Sequence, residues 1–264
     1  MNRKKTLSTT SVLLLLSILS LLSIFSLNMV RVSAVPVSPY IMVIPEKTLD
    51  STYTVGSNYT VSIYTNYNAS LGSDLYSWQF SLTFNSSILE GLEVRNGDLI
   101  TTAKHSSARF GPGTFDNTIG KLSLTIAYFY HISPPPFRTT GPGTLAYVTF
   151  RVKGYGVSDI HLSDTWADPP TMLGGYNIAE GGYYEIMDGT IESEKLGHGF
   201  FSNRLAGDTD GDRDVDYSDF IVLAGAYGST IGQPAYKRNA DFDVDGDVDY
   251  TDFIALAGNY GKSI

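Results

Sequence analysis

From Tyr40 to Glu192, apolar residues recur at every second position in short runs separated by turn formers. Tyr59, Val61 and Ile63 alternate with Thr60 and Ser62, and Trp78, Phe80, Leu82 and Phe84 alternate with Gln79, Ser81 and Thr83. Leu122, Leu124, Ile126 and Tyr128 fall on one face of a third run, and Ala146, Val148, Phe150 and Val152 on one face of a fourth. A period of two puts one face inward and the other towards water, which predicts strands. Gly-Pro-Gly at 111–113 and 141–143 and the Pro134-Pro135-Pro136 run punctuate the pattern. Many short antiparallel strands in such a span predict a β-sandwich or jelly roll. Trp78 keeps phase with Phe80 and Leu82, so it is expected in the core rather than as a sugar-stacking platform. Trp166 precedes Asp168-Pro169-Pro170 in a predicted loop, where binding and packing both remain open.

After Gly207 the period changes. Phe220, Leu223, Ala224 and Tyr227 fall at i, i+3, i+4 and i+7, and Phe253, Leu256, Ala257 and Tyr260 repeat the spacing. Each set predicts a short amphipathic helix. Asp216 and Asp249 stand where an N-cap is wanted, and Gly228 and Gly261 where the helices should stop. The helices belong to a duplicated segment. Asp208–Gly228 and Asp241–Gly261 lie 33 residues apart and are identical at 15 of 21 positions.

Charge singles out the same region. The chain carries a net charge of −9, and Leu205–Ile264, with twelve Asp, no Glu and four basic residues, holds −8 of it. An acidic chain without a basic patch argues against nucleic acid as a partner. There is no cysteine, which excludes disulfides, thiolate metal sites and thiol nucleophiles. His105, His131, His161 and His198 are too far apart in sequence for a local zinc motif.

In the first repeat Asp208, Asp210, Asp212, Asp214, Asp216 and Asp219 occupy positions 1, 3, 5, 7, 9 and 12; in the second these are Asp241, Asp243, Asp245, Asp247, Asp249 and Asp252. This is the spacing of an EF-hand calcium loop. A hard cation takes about six to eight oxygens near 2.4 Å, and a turning loop offers them at these positions, position 9 acting through a water. Bare, such carboxylates repel one another; a divalent cation converts that repulsion into folding energy. Two Ca2+ ions are therefore expected. Asp208, Asp210, Asp212, Asp214 and Asp219 are the candidate ligands of one, and Asp241, Asp243, Asp245, Asp247 and Asp252 those of the other. Asp216 and Asp249 are assigned contacts through water. Arg213 stands at position 6, where such loops favour Gly and the second loop has Gly246. The first site is expected to be the weaker.

No helical pattern precedes either loop. Loop-then-helix, twice, with Asp at position 12, resembles the type I dockerin module over Ala206–Ile264. That resemblance implies partner contacts just after position 9, at Tyr217, Ser218, Tyr250 and Thr251. The upstream segments LYSWQFSLTFNSSILEGLEVRNGDLI (75–100) and GTLAYVTFRVKGYGVSDIHLSD (143–164) are similar to the cohesin family, and Asp188-Gly189-Thr190-Ile191 resembles its closing strand. The cohesin resemblance implies a jelly roll that binds dockerins on one sheet face.

At the N-terminus, Asn2-Arg3-Lys4-Lys5 precedes an apolar run from Val12 to Leu27, and Val32-Ser33-Ala34 offers a cleavage site. This reads as a secretory signal peptide; an uncleaved anchor is the alternative, although the run is short of the roughly 20 residues a span needs. Asn58, Asn68 and Asn85 stand in glycosylation sequons. The expected organisation is a signal peptide (1–34), a cohesin-like sandwich (35–192), a linker (193–205) and a dockerin-like, EF-hand-like helical module (206–264). The fold class is mainly β.

The expected function is a secreted or surface-tethered, non-catalytic assembly protein. Its expected partners are cohesin or dockerin modules on other chains, with self-association and polysaccharide as further options. The rivals are a carbohydrate-binding module and a small glycoside hydrolase. The hydrolase would need two carboxylates across a cleft. Asp74, Glu90, Glu93, Asp98, Asp116, Asp164, Asp168, Glu180 and Glu185 are the candidates, and none stands in a recognisable motif.

Overall fold

The computed structural model describes residues 39–67, 74–101, 107–129, 142–177 and 182–264. The signal segment, the Asn68 sequon, His105, His131, the Pro134–Pro136 run and Glu180 lie outside them. Fourteen strands are formed by the described residues. They are β1 (Ile41–Ile44), β2 (Lys47–Leu49), β3 (Asn58–Thr65), β4 (Asp74–Thr83), β5 (Leu89–Asn96), β6 (Ala108–Gly111) and β7 (Thr114–Asp116). These are followed by β8 (Lys121–Phe129), β9 (Gly143–Val152), β10 (Val157–Leu162), β11 (Met172–Asn177), β12 (Gly182–Asp188), β13 (Leu196–Gly197) and β14 (Gly199–Ser202). Two helices follow, α1 (Tyr217–Ala226) and α2 (Tyr250–Asn259).

One sheet runs β13-β1-β3-β9-β5 and the other β12-β11-β4-β10-β14-β2, with β8 pairing β4 and carrying β6 and β7. The inward faces are the period-two positions. Tyr59, Val61 and Ile63 of β3, Ala146, Val148, Phe150 and Val152 of β9, and Trp78, Phe80 and Leu82 of β4 are all buried. Aromatic rings knit the layers together: Tyr59 meets Phe201 at 4.6 Å between centroids and Phe84 meets Phe150 edge-on at 5.1 Å. Trp78 is core, stacked 5.8 Å from Phe80. Trp166 is 69% exposed.

Three expectations are corrected. In β8, Leu122 is buried but Leu124 is exposed, and Thr125, Ala127 and Phe129 take the inward positions. Leu124 has a φ of 47°. It forms a bulge against β4, where the register shifts between Phe80 and Leu82. One extra residue sends every later side chain to the opposite face. Second, Asp188–Ile191 is not a closing strand: β12 ends at Asp188, whose carboxylate accepts from Thr190 N at 2.8 Å in a tight turn. Third, 193–205 is not a free linker. It holds a 3-10 turn, then β13 pairs in parallel with β1, and β14 pairs with β10 and β2. Phe200 and Phe201 are buried. The sandwich therefore closes at Ser202.

The C-terminal repeats have a small core of their own, made by Val215, Leu223, Ala226, Ala240, Val248 and Leu256. The predicted helix faces are rotated from expectation. Asp219, Leu223 and Ala226 are buried on α1, whereas Ala224 and Tyr227 are exposed; on α2, Ala257 and Tyr260 are likewise exposed. The cause is the position 12 carboxylate, which turns inward to the loop and takes the helix seam with it.

Candidate metal centre

Each loop closes on its position 12 carboxylate. Asp252 Oδ1 accepts from Phe242 N at 2.6 Å and Oδ2 from Asp249 N at 2.8 Å, which ties the loop entrance to the helix start. Asp219 repeats this, with Oδ1 accepting from Thr209 N at 2.7 Å and Oδ2 from Asp216 N at 2.8 Å. Both are buried. Asp216 and Asp249 cap the helices, accepting from Ser218 N at 2.6 Å and Thr251 N at 2.7 Å, and with the position 12 residues they form capping boxes.

The position 1 carboxylates hold the turn. Asp208 accepts from Gly211 N at 2.6 Å and Arg213 N at 3.2 Å. Asp241 accepts from Asp245 N, Gly246 N and the Tyr236 hydroxyl. Carboxylate oxygens converge in three sets: Asp208, Asp210 and Asp219; Asp214, Asp216 and Asp219; and Asp241, Asp243 and Asp252, each within 4.8 Å. Asp212 and Asp245 stand outside these sets, each accepting the backbone N–H two residues on, at 3.1 Å. Asp247 is also outside them.

The residues present fit a calcium ion. Asp214 Oδ1 and Asp243 Oδ1 are buried with no hydrogen-bond donor among the described residues. Such atoms are costly unless a cation meets them. Burial, reinforced by Asp245, Asp252 and Asp241, pushes the Asp243 carboxyl up to about 6. Burial and neighbouring carboxylates also raise Asp210 and Asp214, and burial raises Asp252. The converging carboxylates would hold the ion, and their negative charge would supply the binding energy.

Backbone conformation revises the expected asymmetry. Positions 4 and 6 lie in the left-handed region in both loops: Gly211 and Arg213 at φ of 86° and 81°, Val244 and Gly246 at 57° and 101°. Each loop thus places one glycine and one side-chain-bearing residue there. A β-branched residue at positive φ is the worse of the two, so strain does not single out the first loop. Val244→Gly should tighten the second site by about fivefold, the left-handed cost being about 1–2 kcal/mol less the entropy glycine loses. Arg213→Gly should gain less, because it gives up the guanidinium stacked 5.4 Å over the Tyr155 ring. Calorimetric titration of the three proteins checks both; an unchanged Val244→Gly would contradict the strain argument.

The halves complete each other. Val215 N donates to Lys262 O and Gly261 N to Val215 O, while Val248 N donates to Ser229 O and Gly228 N to Val248 O. Each loop is therefore paired to the segment that follows the other loop's helix. The exposed starts of α1 and α2 carry Tyr217, Ser218, Tyr250 and Thr251, both tyrosines being 64% exposed.

Elsewhere, His161 and His198 stack at 3.9 Å, and burial, with His161 beside it, holds the His198 imidazole down at about 4. Of the carboxylates weighed for hydrolysis, Glu90 pairs with Arg151, Glu93 with Arg95 and Asp168 with Lys121, while Asp98 and Asp116 accept from Thr144 N and Thr118 N. On the β11–β4–β8 sheet a shallow cleft of about 270 Å³ is lined by Gln79, Ile126, Met172, Tyr183 and Glu185. Tyr183 meets Tyr76 and Tyr176 edge-on, at 62° and 72°.

No protein-family model matches the sequence, and no curated protein does. Solved structures similar to the chain are cohesin modules. The seventh ScaB type I cohesin of Pseudobacteroides cellulosolvens is 19% identical, covering 61% of this chain and 89% of that one, with a TM-score of 0.42. A type I cohesin–dockerin complex from Clostridium thermocellum matches at 14% identity over 62% and 97% of the two chains, with a TM-score of 0.42. A non-cellulosomal cohesin from Archaeoglobus fulgidus matches at 18% identity over 62% and 90%, with a TM-score of 0.36.

Proposed function

We propose that the chain is an exported, calcium-dependent, non-catalytic assembly protein, its sandwich a receptor for dockerin modules and its paired loops a plug for cohesin modules. The setting is polysaccharide breakdown at or beyond the cell surface. The observation that carries this reading is the convergence of position 1, 3 and 12 carboxylates beneath two exposed, tyrosine-led helix starts. Ion binding there would fix both helices and the surface they share. The edge-on tyrosines of the sheet cleft do not form the row of coplanar rings that a sugar platform would need, and this favours a protein partner.

The test is a pull-down of the Pro36–Ile264 chain with immobilised cohesin and dockerin modules, in calcium and in chelator. Capture by cohesin in calcium, lost in chelator, is the expected result for the loop module, and capture by dockerin modules that for the sandwich. Mass rising with concentration in calcium would identify a second copy as the partner. Retention on polysaccharide with no protein captured would favour the carbohydrate-binding alternative.

A further inference from the structure

The sandwich grips the loops themselves. Lys47, the first residue of β2, lies opposite Phe200 of β14. Its ammonium donates to Asp243 O at 3.2 Å and to Val244 O at 2.5 Å, positions 3 and 4 of the second loop. Val244 is the residue held at positive φ, so Lys47 clasps the strained turn by its carbonyl. The first loop is met by Tyr155, on the turn before β10. Its hydroxyl accepts from Leu205 N at 2.7 Å, and Leu205 O in turn accepts from Asp208 N, position 1, at 3.0 Å, while the Tyr155 ring lies under Arg213, position 6. Between the loops Arg238 pairs with Asp159 of β10 at 2.7 Å and lies 4.7 Å over the Phe200 ring.

We propose that Lys47 and Tyr155 are positioning residues for the second and first calcium loops, so that ion binding and docking of the module on the sandwich form one coupled equilibrium. The inference rests on the calcium reading of the loops. Lys47 touches no carboxylate of the second loop; it binds two carbonyls whose orientation exists only when the loop is wound. Calcium winds the loop by drawing its carboxylates inward. Whatever favours the wound loop favours the ion, and by linkage the ion favours the docked module to the same degree. The exposed Arg238–Asp159 pair contributes little alone, but it holds the segment leading into Asp241.

An ammonium near a dication also repels it, and this separates two roles for Lys47. A bystander charge would weaken the site, so its removal would tighten it. A positioning residue would do the reverse. The experiment is calcium titration of Pro36–Ile264 with the first loop silenced by Asp219→Ala, comparing Lys47, Lys47→Met and Lys47→Arg. The expected result is an affinity about fivefold lower in Lys47→Met, the low end of measured couplings, largely recovered in Lys47→Arg. In chelator the sandwich should melt at an unchanged temperature in all three. Tyr155→Phe, read at the first loop with Asp252→Ala in the background, should lower affinity similarly while keeping the ring under Arg213. Affinity unchanged or raised in both Lys47→Met and Tyr155→Phe overturns the coupling. If the unsubstituted chain takes up no calcium, the reading of the loops fails first and the coupling falls with it. Should Lys47→Met not fold, Tyr155→Phe alone decides.

Discussion

Chelation should unfold the Ala206–Ile264 module while leaving the sandwich intact. The two cores are separate: the module has six buried apolar residues, against an aromatic-rich cluster spanning both sheets of the sandwich. A core that small does not sustain some sixty residues unaided, and small domains usually need a metal or a disulfide to hold. Disulfides are excluded, since the chain has no cysteine. Twelve aspartates in this stretch oppose compaction, and Asp214 Oδ1 and Asp243 Oδ1 are buried with no donor among the described residues. The isolated module should show little helix in chelator and gain the α1 and α2 signal on adding calcium. Identical circular dichroism spectra in the two conditions would sink the idea.

The second large effect separates position 12 from position 9. Asp252→Ala should lower calcium affinity at the second loop by about 100-fold or more, as it removes a bidentate ligand and leaves the half-buried N–H donors of Phe242 and Asp249 without their acceptor, at up to about 1–3 kcal/mol each. Asp249→Ala removes an exposed cap worth about 1 kcal/mol, roughly a fivefold change. Calorimetry on the two variants, with Asp219→Ala silencing the other loop, gives both numbers. Equal losses would mean that the wound loop is not the binding form.

The parts of this protein that follow from local pattern were legible in its sequence. Alternation at Tyr59–Ile63 and Trp78–Phe84 requires no knowledge of neighbours, because period two alone decides which face is buried. The aspartate spacing was equally legible, and the carboxylates of positions 1, 3 and 12 in each loop converge as that spacing implies. What escaped were features decided by a partner. Leu124 carries an ordinary strand pattern, and only its pairing with β4 shows that an extra residue is accommodated there. Ala224 and Tyr227 fit a helix face, but Asp219 claims the inward direction and an aspartate is not read as a core residue. Leu196–Ser202 is short, rich in glycine and polar-flanked, the composition of a linker; its strands exist because β1, β2 and β10 offer open edges. Val244 gave no signal at all, since strain at position 4 is visible only in backbone angles. Position 6 drew attention because EF-hand chemistry names it.

The exchange of backbone hydrogen bonds between the repeats bears on how such a module can arise and be divided. Val215 finds its partners beyond α2, and Val248 finds its own just after α1. One repeat alone would present a loop with an open backbone edge and a helix with half a core. A half is thus not a smaller working unit but an unfinished one, and two copies of the same half could in principle supply each other's missing edge. Duplication within one chain turns that encounter between molecules into a tether, which raises the effective concentration of the second half without adding a contact. A divided module should therefore regain its fold only where its pieces are concentrated enough to meet.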